Sequence, residues 1–155
     1  MPHIYSEKSR RFDCFPVASV VLVINNDQKF LMMKHPDKSG FWQPVMGAME
    51  HNESISESAL REAKEELGVN VEFTYIGVVD ALNFVYDKNV TNMISLVTLL
   101  KYNKGKILPG DDMLGSEFAW FGIDEIKDLT FDEVKPVETP LITEKAILLY
   151  KSQLT

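Results

Sequence analysis

The feature that most constrains this chain is an amphipathic helix with two chemically different sides, predicted over residues 56–67. Ser54 followed by Glu57 is a capping-box pattern, and Gly68 stands where a helix commonly ends. Apolar residues recur at helical spacing along one side. These are Ala59, Leu60, Ala63 and Leu67. We therefore expect this side of the helix to pack against the core.

The other side of the helix is acidic. Glu62, Glu65 and Glu66 stand at positions i, i+3 and i+4, so their side chains share one face. Like charges at this spacing repel each other, and hard cations would relieve the repulsion because Mg²⁺ prefers oxygen ligands. The alternative is an ordinary solvated face, with Arg61 and Lys64 supplying the compensating charge.

Length and composition indicate a globular protein. The 155 residues suit one domain over residues 1–155, with 45% hydrophobic and 25% charged residues. The net charge of -7 argues against a long nucleic acid as partner, since such binders need a basic stripe. A small phosphorylated ligand remains compatible, because a bound divalent cation reverses the local sign of an acidic site.

The cysteine content predicts a reducing, cytoplasmic setting. Cys14 is the only cysteine, which excludes an intrachain disulfide and a cysteine-based zinc site. No apolar h-region follows the charged N-terminus, so no secretory signal is expected. The longest apolar stretch, residues 17–24, is far shorter than the roughly 20 residues that span a bilayer, so we expect no membrane association.

Strand patterns on both sides of the helix predict the fold class. Two hairpins are expected, one from residues 15–24 and 29–34 and one from residues 71–86 and 91–102. The remaining predicted segments are a polar loop at 36–40, an irregular extended stretch at 41–50, a strand at 118–122 and helices at 123–129 and 139–153. Together they predict an α/β or α+β fold in which a mixed β-sheet lies between helices.

Residues 47–69, GAMEHNESISESALREAKEELGV, resemble the signature of the Nudix hydrolase family. That signature has fixed glycine, glutamate, arginine and apolar positions at set spacings, and this chain fills all of them. The matching residues are Gly47, Glu53, Arg61, Glu62, Ala63, Glu65, Glu66, Gly68 and Val69. Nine constrained positions in 23 residues make chance agreement very improbable. The resemblance implies a Nudix fold, with the signature forming a loop, a helix and a second loop.

The resemblance also implies a metal site. Glu62, Glu65 and Glu66 would supply the metal ligands and the general base, and the backbone carbonyl of Met46 a further ligand. Glu53 and Arg61 would orient the loop and the helix, Arg61 by bracing a carboxylate. The expected cofactor is Mg²⁺, with Mn²⁺ as an alternative.

The chemistry implied is hydrolysis of a phosphoanhydride. Divalent cations would neutralise the phosphates and lower the pKa of a bound water, whose proton Glu65 or Glu62 accepts. Family members often add a carboxylate from outside the signature. Glu117 is the candidate here, with Asp111 and Asp112 as competitors.

The stretch leading into the signature suggests a substrate class. Residues 41–50, FWQPVMGAME, resemble the version found in dihydroneopterin triphosphate pyrophosphatases and related (d)NTP pyrophosphohydrolases, although Met46 departs from the small or hydroxyl residue usual there. Candidate substrate-binding residues are Lys34 and His35 for phosphates, and Trp42, Phe84 and Tyr86 for an aromatic ring. For each of them, an ordinary strand-end or packing role is the alternative.

Other functions stay open at this point. A tyrosine placed like Tyr86 also occurs in dinucleoside polyphosphate hydrolases. An isopentenyl diphosphate isomerase would need a cysteine in the site, and Cys14 is far from the signature in sequence. A non-catalytic nucleotide-sensing module commonly loses signature glutamates, and this chain keeps them. Net charge disfavours RNA decapping. The sequence leaves the oligomeric state undetermined.

Overall fold

The computed structural model describes residues 3–36 and 40–155, apart from the side chain of Asp112. The strands are His3–Tyr5 (β1), Arg11–Asp13 (β2), Val17–Ile24 (β3), Phe30–Lys34 (β4), Val45–Ala48 (β5), Glu72–Phe84 (β6), Met93–Lys104 (β7) and Glu117–Phe121 (β8). The helices are Ile55–Leu67 (α1), Ile123–Lys127 (α2) and Thr139–Ser152 (α3), and a short 3-10 turn covers Asp111–Met113.

Six of the strands form one mixed sheet in the order β6-β7-β3-β4-β8, with β5 paired to β3. Both predicted hairpins are confirmed, since β3 pairs with β4 and β6 pairs with β7 in antiparallel fashion. The contact between β3 and β7 is parallel and runs along the whole of β3. This long pairing places β3 at the centre of the sheet.

The core has two layers because side chains along β3 alternate between the two faces of the sheet. Val20, Leu22 and Ile24 point to one face and pack with residues of α2 and α3. Val21 and Val23 point to the other face and pack with α1. The predicted fold class, a mixed sheet between helices, is therefore confirmed.

The sequence analysis missed several elements. The hairpin of β1 and β2 forms a separate two-stranded sheet, and its three-residue strands are too short to show an alternating pattern. The stretch at 41–50 contains a regular strand, β5, rather than irregular structure alone. The predicted loop at 36–40 falls partly on residues 37–39, which lie outside the described residues.

The helices of the structure are short or polar in comparison with membrane-spanning helices. Among the described residues, no helix combines the length and the apolar character needed to cross a bilayer.

Candidate functional site

Helix α1 begins and ends as its sequence predicts. Ser54 Oγ accepts a hydrogen bond from the Glu57 backbone N–H at 3.3 Å, and Glu57 Oε2 accepts one from the Ser54 N–H at 2.8 Å. The predicted capping box is therefore confirmed. At the other end, Gly68 has a φ of 105° and donates its N–H to the Lys64 carbonyl. These caps fix the register in which the helix presents its glutamates.

Arg61 is the centre of the hydrogen-bond network on α1. Its Nε and Nη2 donate to the two carboxylate oxygens of Glu53 at 3.0 and 2.8 Å. Nη2 also donates to the Ala48 carbonyl at 2.9 Å. Nη1 donates to Glu62 Oε1 at 2.8 Å and to Glu65 Oε2 at 3.1 Å. One guanidinium thus ties the loop before the helix, strand β5 and two helix carboxylates together.

Glu53 acts on the shape of the loop. Besides its two bonds from Arg61, its Oε1 accepts a hydrogen bond from the Glu50 N–H at 2.5 Å. The bonds from Arg61 and from the Glu50 backbone hold the pKa of Glu53 at about 2, because they stabilise the ionised form. Glu53 is therefore a fixed anion that anchors the loop in the structure.

Glu62 is seated against the backbone of Gly47. A Cβ added to Gly47 would lie 2.0 Å from Glu62 Cδ and 2.1 Å from each carboxylate oxygen. Only glycine permits this close approach. The Glu62 side chain is 9% exposed. Burial raises its pKa, and the attraction of Arg61 does not fully offset that effect. The seat holds a desolvated carboxylate in a fixed position beside β5.

The Met46 carbonyl faces the same side as this carboxylate network. Met49 donates its N–H to the Val17 carbonyl, so alternate residues of β5 bond to β3. Met46 and Ala48 fall between those bonds and turn their carbonyls away from β3. The Ala48 carbonyl meets Arg61 there. The Met46 carbonyl, two residues earlier on the strand, points to the same side, as a ligand role requires.

Glu65 and Glu66 lie toward the C-terminal half of α1. Glu65 is 56% exposed, far more than Glu62, so water reaches its carboxylate. Glu66 is half-buried. A Cβ on Gly110 would lie 1.7 Å from the Glu65 carbonyl, so the chain after β7 packs directly on this part of the helix. Asp111 follows at once and lines, with Glu65, a groove of about 460 Å³.

The structure places Glu117 apart from that groove. Glu117 begins β8 and is the strand partner of Lys34 at the end of β4. Met33, the residue before Lys34, pairs with Gln43, three residues before Met46. Glu117 thus lies at the sheet end that leads into β5, whereas Asp111 lies beside α1. The side chain of the other competitor, Asp112, is outside the described part of the chain.

The predicted phosphate and ring contacts near β4 come together. Lys34 Nζ lies 5.7 Å from the centroid of the Trp42 ring, and His35 follows Lys34 directly and is half-buried. Trp42 also packs edge-on against Phe121, with ring centroids 4.9 Å apart. Trp42 therefore has a packing role, which was the alternative to a ligand contact, and part of its surface remains exposed.

Phe84 and Tyr86 lie elsewhere, at the tip of the β6–β7 hairpin. They are 38% and 69% exposed. Ile94, at the start of β7, donates its N–H to the Pro16 carbonyl, so the hairpin meets the beginning of β3. In the sheet, β7 and β3 lie between β6 and β5. The structure therefore does not bring Phe84 and Tyr86 together with Trp42.

A segment that the sequence analysis passed over also borders the site. Trp42 donates its N–H to the Glu133 carbonyl at 2.7 Å, and Lys135 donates its N–H to the Trp42 carbonyl at 2.9 Å. These bonds join residues about 90 positions apart, so no local pattern announces them. The only unusual feature of this segment in the sequence is Phe131, an aromatic residue among the polar residues of 130–133.

The donor set fits a hard divalent cation. Among the described residues, no three acidic, histidine or cysteine side chains already converge as a metal cluster. Arg61 Nη1 instead bridges Glu62 and Glu65 as the local positive charge. The donors within reach are carboxylate and carbonyl oxygens, the kind that Mg²⁺ and Mn²⁺ prefer. Glu62, the buried carboxylate among these donors, occupies the space beside Gly47 that a Cβ would fill.

Comparisons with known proteins show which family this chain resembles. The NUDIX domain family model matches residues 15–141. The ADP-ribose pyrophosphatase of Methanocaldococcus jannaschii is 32% identical over 138 residues, covering 84% of this chain and 76% of that protein. The dihydroneopterin triphosphate diphosphatase of Escherichia coli strain K12 is 35% identical over 66 residues, 42% of this chain. That match spans 44% of the length of the E. coli protein.

Solved structures show the same fold. A NUDIX-family hydrolase from Clostridium perfringens superposes with a TM-score of 0.68 at 20% identity, covering 86% of this chain and 97% of that one. The MutT protein of Methanosarcina mazei Go1 gives a TM-score of 0.68 at 18% identity, covering 91% and 96%. The family model spans most of the chain, and the signature residues meet around α1 and β5. This chain belongs to the Nudix hydrolase family.

Proposed function

We propose that this chain is a divalent-metal-dependent pyrophosphohydrolase acting on a nucleoside triphosphate-like substrate, with a monophosphate and pyrophosphate as products. The substrate class includes (d)NTPs and dihydroneopterin triphosphate. The proposal treats residues 1–155 as one domain, with a small-molecule substrate. It also places the protein in the cytoplasm, as the one cysteine, Cys14, favours.

One observation carries the proposal, namely the packing of the Glu62 carboxylate on Gly47. A buried carboxylate is costly unless a positive charge compensates it. Gly47 leaves the space that Glu62 occupies, Arg61 donates a hydrogen bond to Glu62, and Glu53 holds Arg61 in position. An ordinary solvated glutamate needs none of these supports. This favours a ligand role for the acidic side of α1 over the alternative of a plain surface.

The residue roles follow from exposure and position. Glu62 and Glu66 are the proposed metal ligands, with the Met46 carbonyl turned to the same side of β5. Glu65, open to water, is the proposed general base and accepts a proton on its carboxylate. Arg61 and Glu53 hold the loop and the helix in register. Bound Mg²⁺ supplies charge neutralisation of the phosphates and a more acidic water.

The outside carboxylate remains a choice between two positions. Asp111 lines the groove beside Glu65, so it is placed to assist from the helix side. Glu117 is beside Lys34, at the end of the sheet where the substrate would enter. We propose Glu117 as a further metal ligand, as its neighbour Lys34 and the nearby His35 would hold phosphate oxygens there.

Two relatives bear on the substrate, and their names state different compounds. The E. coli relative, whose name states dihydroneopterin triphosphate, matches 66 residues. The M. jannaschii relative, whose name states ADP-ribose, matches 138 residues. The stretch FWQPVMGAME is the feature of this chain that favours a triphosphate. Any test must therefore include both substrate types.

The experiment is a Mg²⁺-dependent assay with products separated by ion-exchange chromatography. The panel holds dATP, dGTP and its oxidised form, dihydroneopterin triphosphate, a diadenosine polyphosphate and ADP-ribose. We expect pyrophosphate and a monophosphate from a triphosphate. We expect Glu66→Gln to lower kcat about 10³-fold, because it weakens a metal site that would contribute several kcal/mol to the reaction. The matched control is Glu138→Gln, which should keep full activity. Glu138 is exposed and precedes α3, and its side chain makes no capping hydrogen bond to that helix.

Other outcomes would point to the alternatives. Preferred cleavage of the diadenosine polyphosphate would identify a dinucleoside polyphosphate hydrolase. Full metal-dependent turnover by Glu66→Gln would contradict the residue assignment. Absence of metal-dependent turnover on the whole panel, together with nucleotide binding, would support a non-catalytic nucleotide-sensing module.

A further inference from the structure

Helix α3 is apolar on two opposite sides. Its inner side packs on the sheet through the buried residues Ile142, Ala146 and Tyr150. On its outer side, Leu141 and Leu148 are 51% and 70% exposed. The two leucines are about two helical turns apart, so their side chains lie in one row along the helix. A helix that is apolar all round is typical of one covered on more than one side.

Charged residues beside the leucines indicate what covers this row. Single exposed leucines are common on protein surfaces, so exposure alone decides nothing. Here each leucine is followed three positions later by a charge, with Glu144 after Leu141 and Lys151 after Leu148. Residues three apart are neighbours on a helix surface. Glu144 and Lys151 therefore form a second row on one flank of the leucines, with the acid nearer the start of the helix.

This charge row is complementary to itself in one orientation. When two copies of α3 pack antiparallel around Leu148, Glu144 of each copy lies level with Lys151 of the other. A two-fold axis brings the same flank of each helix together, so the two charge rows face each other. A two-fold parallel pair would instead set each charge beside its own copy, and like charges repel. The order of charges therefore favours a second, antiparallel copy of this chain.

The net charge around α3 also suits self-association. The whole chain has a net charge of -7, so two copies repel over most of their surface. Side chains of residues 138–155 carry two negative and two positive charges, which cancel. Lys145, on the other flank of the leucines, is already paired with Asp80 of its own chain. The outer side of α3 is thus a place where two acidic copies can approach.

Both members of the charge row are accessible. Glu144 is paired with Lys127 of α2 within its own chain, and its side chain is still 44% exposed. Its two carboxylate oxygens can accept bonds from more than one donor. Lys151 is exposed, and in the described part of the chain no ion pair involves it. A contact between copies therefore requires no repacking of α3.

We propose that the outer side of α3 is the contact surface of a two-fold symmetric dimer in which the two α3 helices run antiparallel. The leucines exclude water, and the two pairs between Glu144 and Lys151 set the orientation. A helix of this length is about 21 Å long, so the contact is small and the association weak. Helix α1 lies on the other face of the sheet, so its carboxylates stay open in the dimer. The inference does not depend on the proposed function.

The test is sedimentation velocity of the full chain at about 10 to 500 µM, a range that covers weak dimers. We expect the wild-type mass to rise from 17.7 kDa toward twice that value. Leu148→Glu should weaken dimerisation at least about tenfold, because it places an unpaired charge in the contact. Leu114→Glu is the matched control, since Leu114 is 64% exposed and lies outside α3. It should dimerise as wild type does.

Charge reversal examines the orientation. Glu144→Lys alone and Lys151→Glu alone each replace two attractive contacts by repulsive ones, so each should weaken dimerisation about fivefold or more. The double variant exchanges the two charges and should dimerise within about twofold of wild type, because both contacts become attractive again. Lys127→Gln removes only the partner of Glu144 within the chain, and it should leave dimerisation unchanged.

Three outcomes would overturn the proposal. The first is a wild-type protein that stays monomeric at every concentration, which would leave the outer side of α3 to a different partner. The second is a dimer that Leu148→Glu does not weaken, which would place the contact elsewhere. The third is a double variant that dimerises as weakly as the single charge variants, which would exclude the antiparallel pairing. Melting temperatures equal to that of wild type would show that each variant is folded.

Discussion

Two parts of the proposed site are built in different ways. The carboxylate face consists of Glu62, Glu65 and Glu66 on α1. The aromatic rim consists of Trp42 and the turn of residues 130–134. The carboxylate face is assembled by side-chain bonds and close packing within residues 47–68. The aromatic rim is assembled by backbone bonds between segments about 90 residues apart.

Under the proposed function, this difference would separate the residues of the reaction from those of substrate selection. Arg61 holds Glu62 and Glu65, and Gly47 seats Glu62, before any ligand arrives. A site that holds charged groups in a reactive geometry requires such support. The rim depends on a surface turn, and surface turns accept sequence change more readily than helices packed on a core. We infer that the reaction is set by the carboxylate face and that the choice of substrate is set by the rim.

Among substitutions that leave the glutamates of α1 unchanged, the largest expected effect comes from Gly47→Ala. The new Cβ would overlap the Glu62 carboxylate, which must then leave its seat. A displacement of about 1 Å in a catalytic group costs on the order of 100-fold, so kcat/KM should fall by about that factor. The melting temperature should change little, because the end of a flexible side chain gives way.

Gly77→Ala is the control for that substitution. The Cβ added at Gly77 would meet its nearest neighbour, Leu149 Cδ2, at an ordinary 3.6 Å. Activity should stay at the wild-type level. Loss of activity to the same extent in both variants would contradict a specific role for the contact between Gly47 and Glu62.

An intermediate effect is expected from Arg61→Lys. Lysine keeps the charge but lacks the planar fork that reaches Glu53, Ala48 and Glu62 at once. Loss of such a supporting residue typically costs about 10- to 100-fold, and we expect kcat to fall about tenfold. Arg11→Lys, in the exposed pair with Asp13, is the control. Unchanged kcat in Arg61→Lys would mean that charge alone is enough.

The smallest effect is expected on the rim, from Thr130→Ala. The variant loses the Oγ1 bond to Glu133 but keeps the backbone bond. A hydrogen bond of this kind contributes about 1 kcal/mol, so the KM for a nucleoside triphosphate should rise by no more than about fivefold while kcat stays constant. Thr74→Ala removes a comparable exposed bond from Asn103 and should leave both parameters unchanged. A fall in kcat without a change in KM would contradict the division between face and rim.

The sequence predicted the carboxylate face because its determinants are local. The capping residues Ser54 and Glu57, the apolar stripe and the glycine stop all lie within a few helical turns of the glutamates. The sequence indicated that Gly47 matters only because it is a fixed position of the family signature. Its physical reason, the contact with Glu62, needs the packing of α1 on β5.

The sequence could not predict the features that depend on long-range pairing. The parallel contact of β3 with β7 joins segments separated by α1 and β6. The bonds between Trp42 and the turn near Glu133 have no periodic signal. The prediction of Phe84 and Tyr86 as ring contacts remains untested. Both lie at the tip of the β6–β7 hairpin, and β7 and β3 lie between β6 and β5 in the sheet.

The most direct test of the central claim is Mn²⁺ binding to the protein without substrate, measured by electron paramagnetic resonance. The claim is that the carboxylate face holds the cation that the reaction needs. Wild type and Glu138→Gln should bind Mn²⁺ alike. Glu62→Gln should bind Mn²⁺ at least about tenfold more weakly, with an unchanged melting temperature, because loss of a direct ligand costs no less than loss of a residue that supports a ligand. Equal Mn²⁺ affinity in Glu62→Gln and wild type would contradict the account.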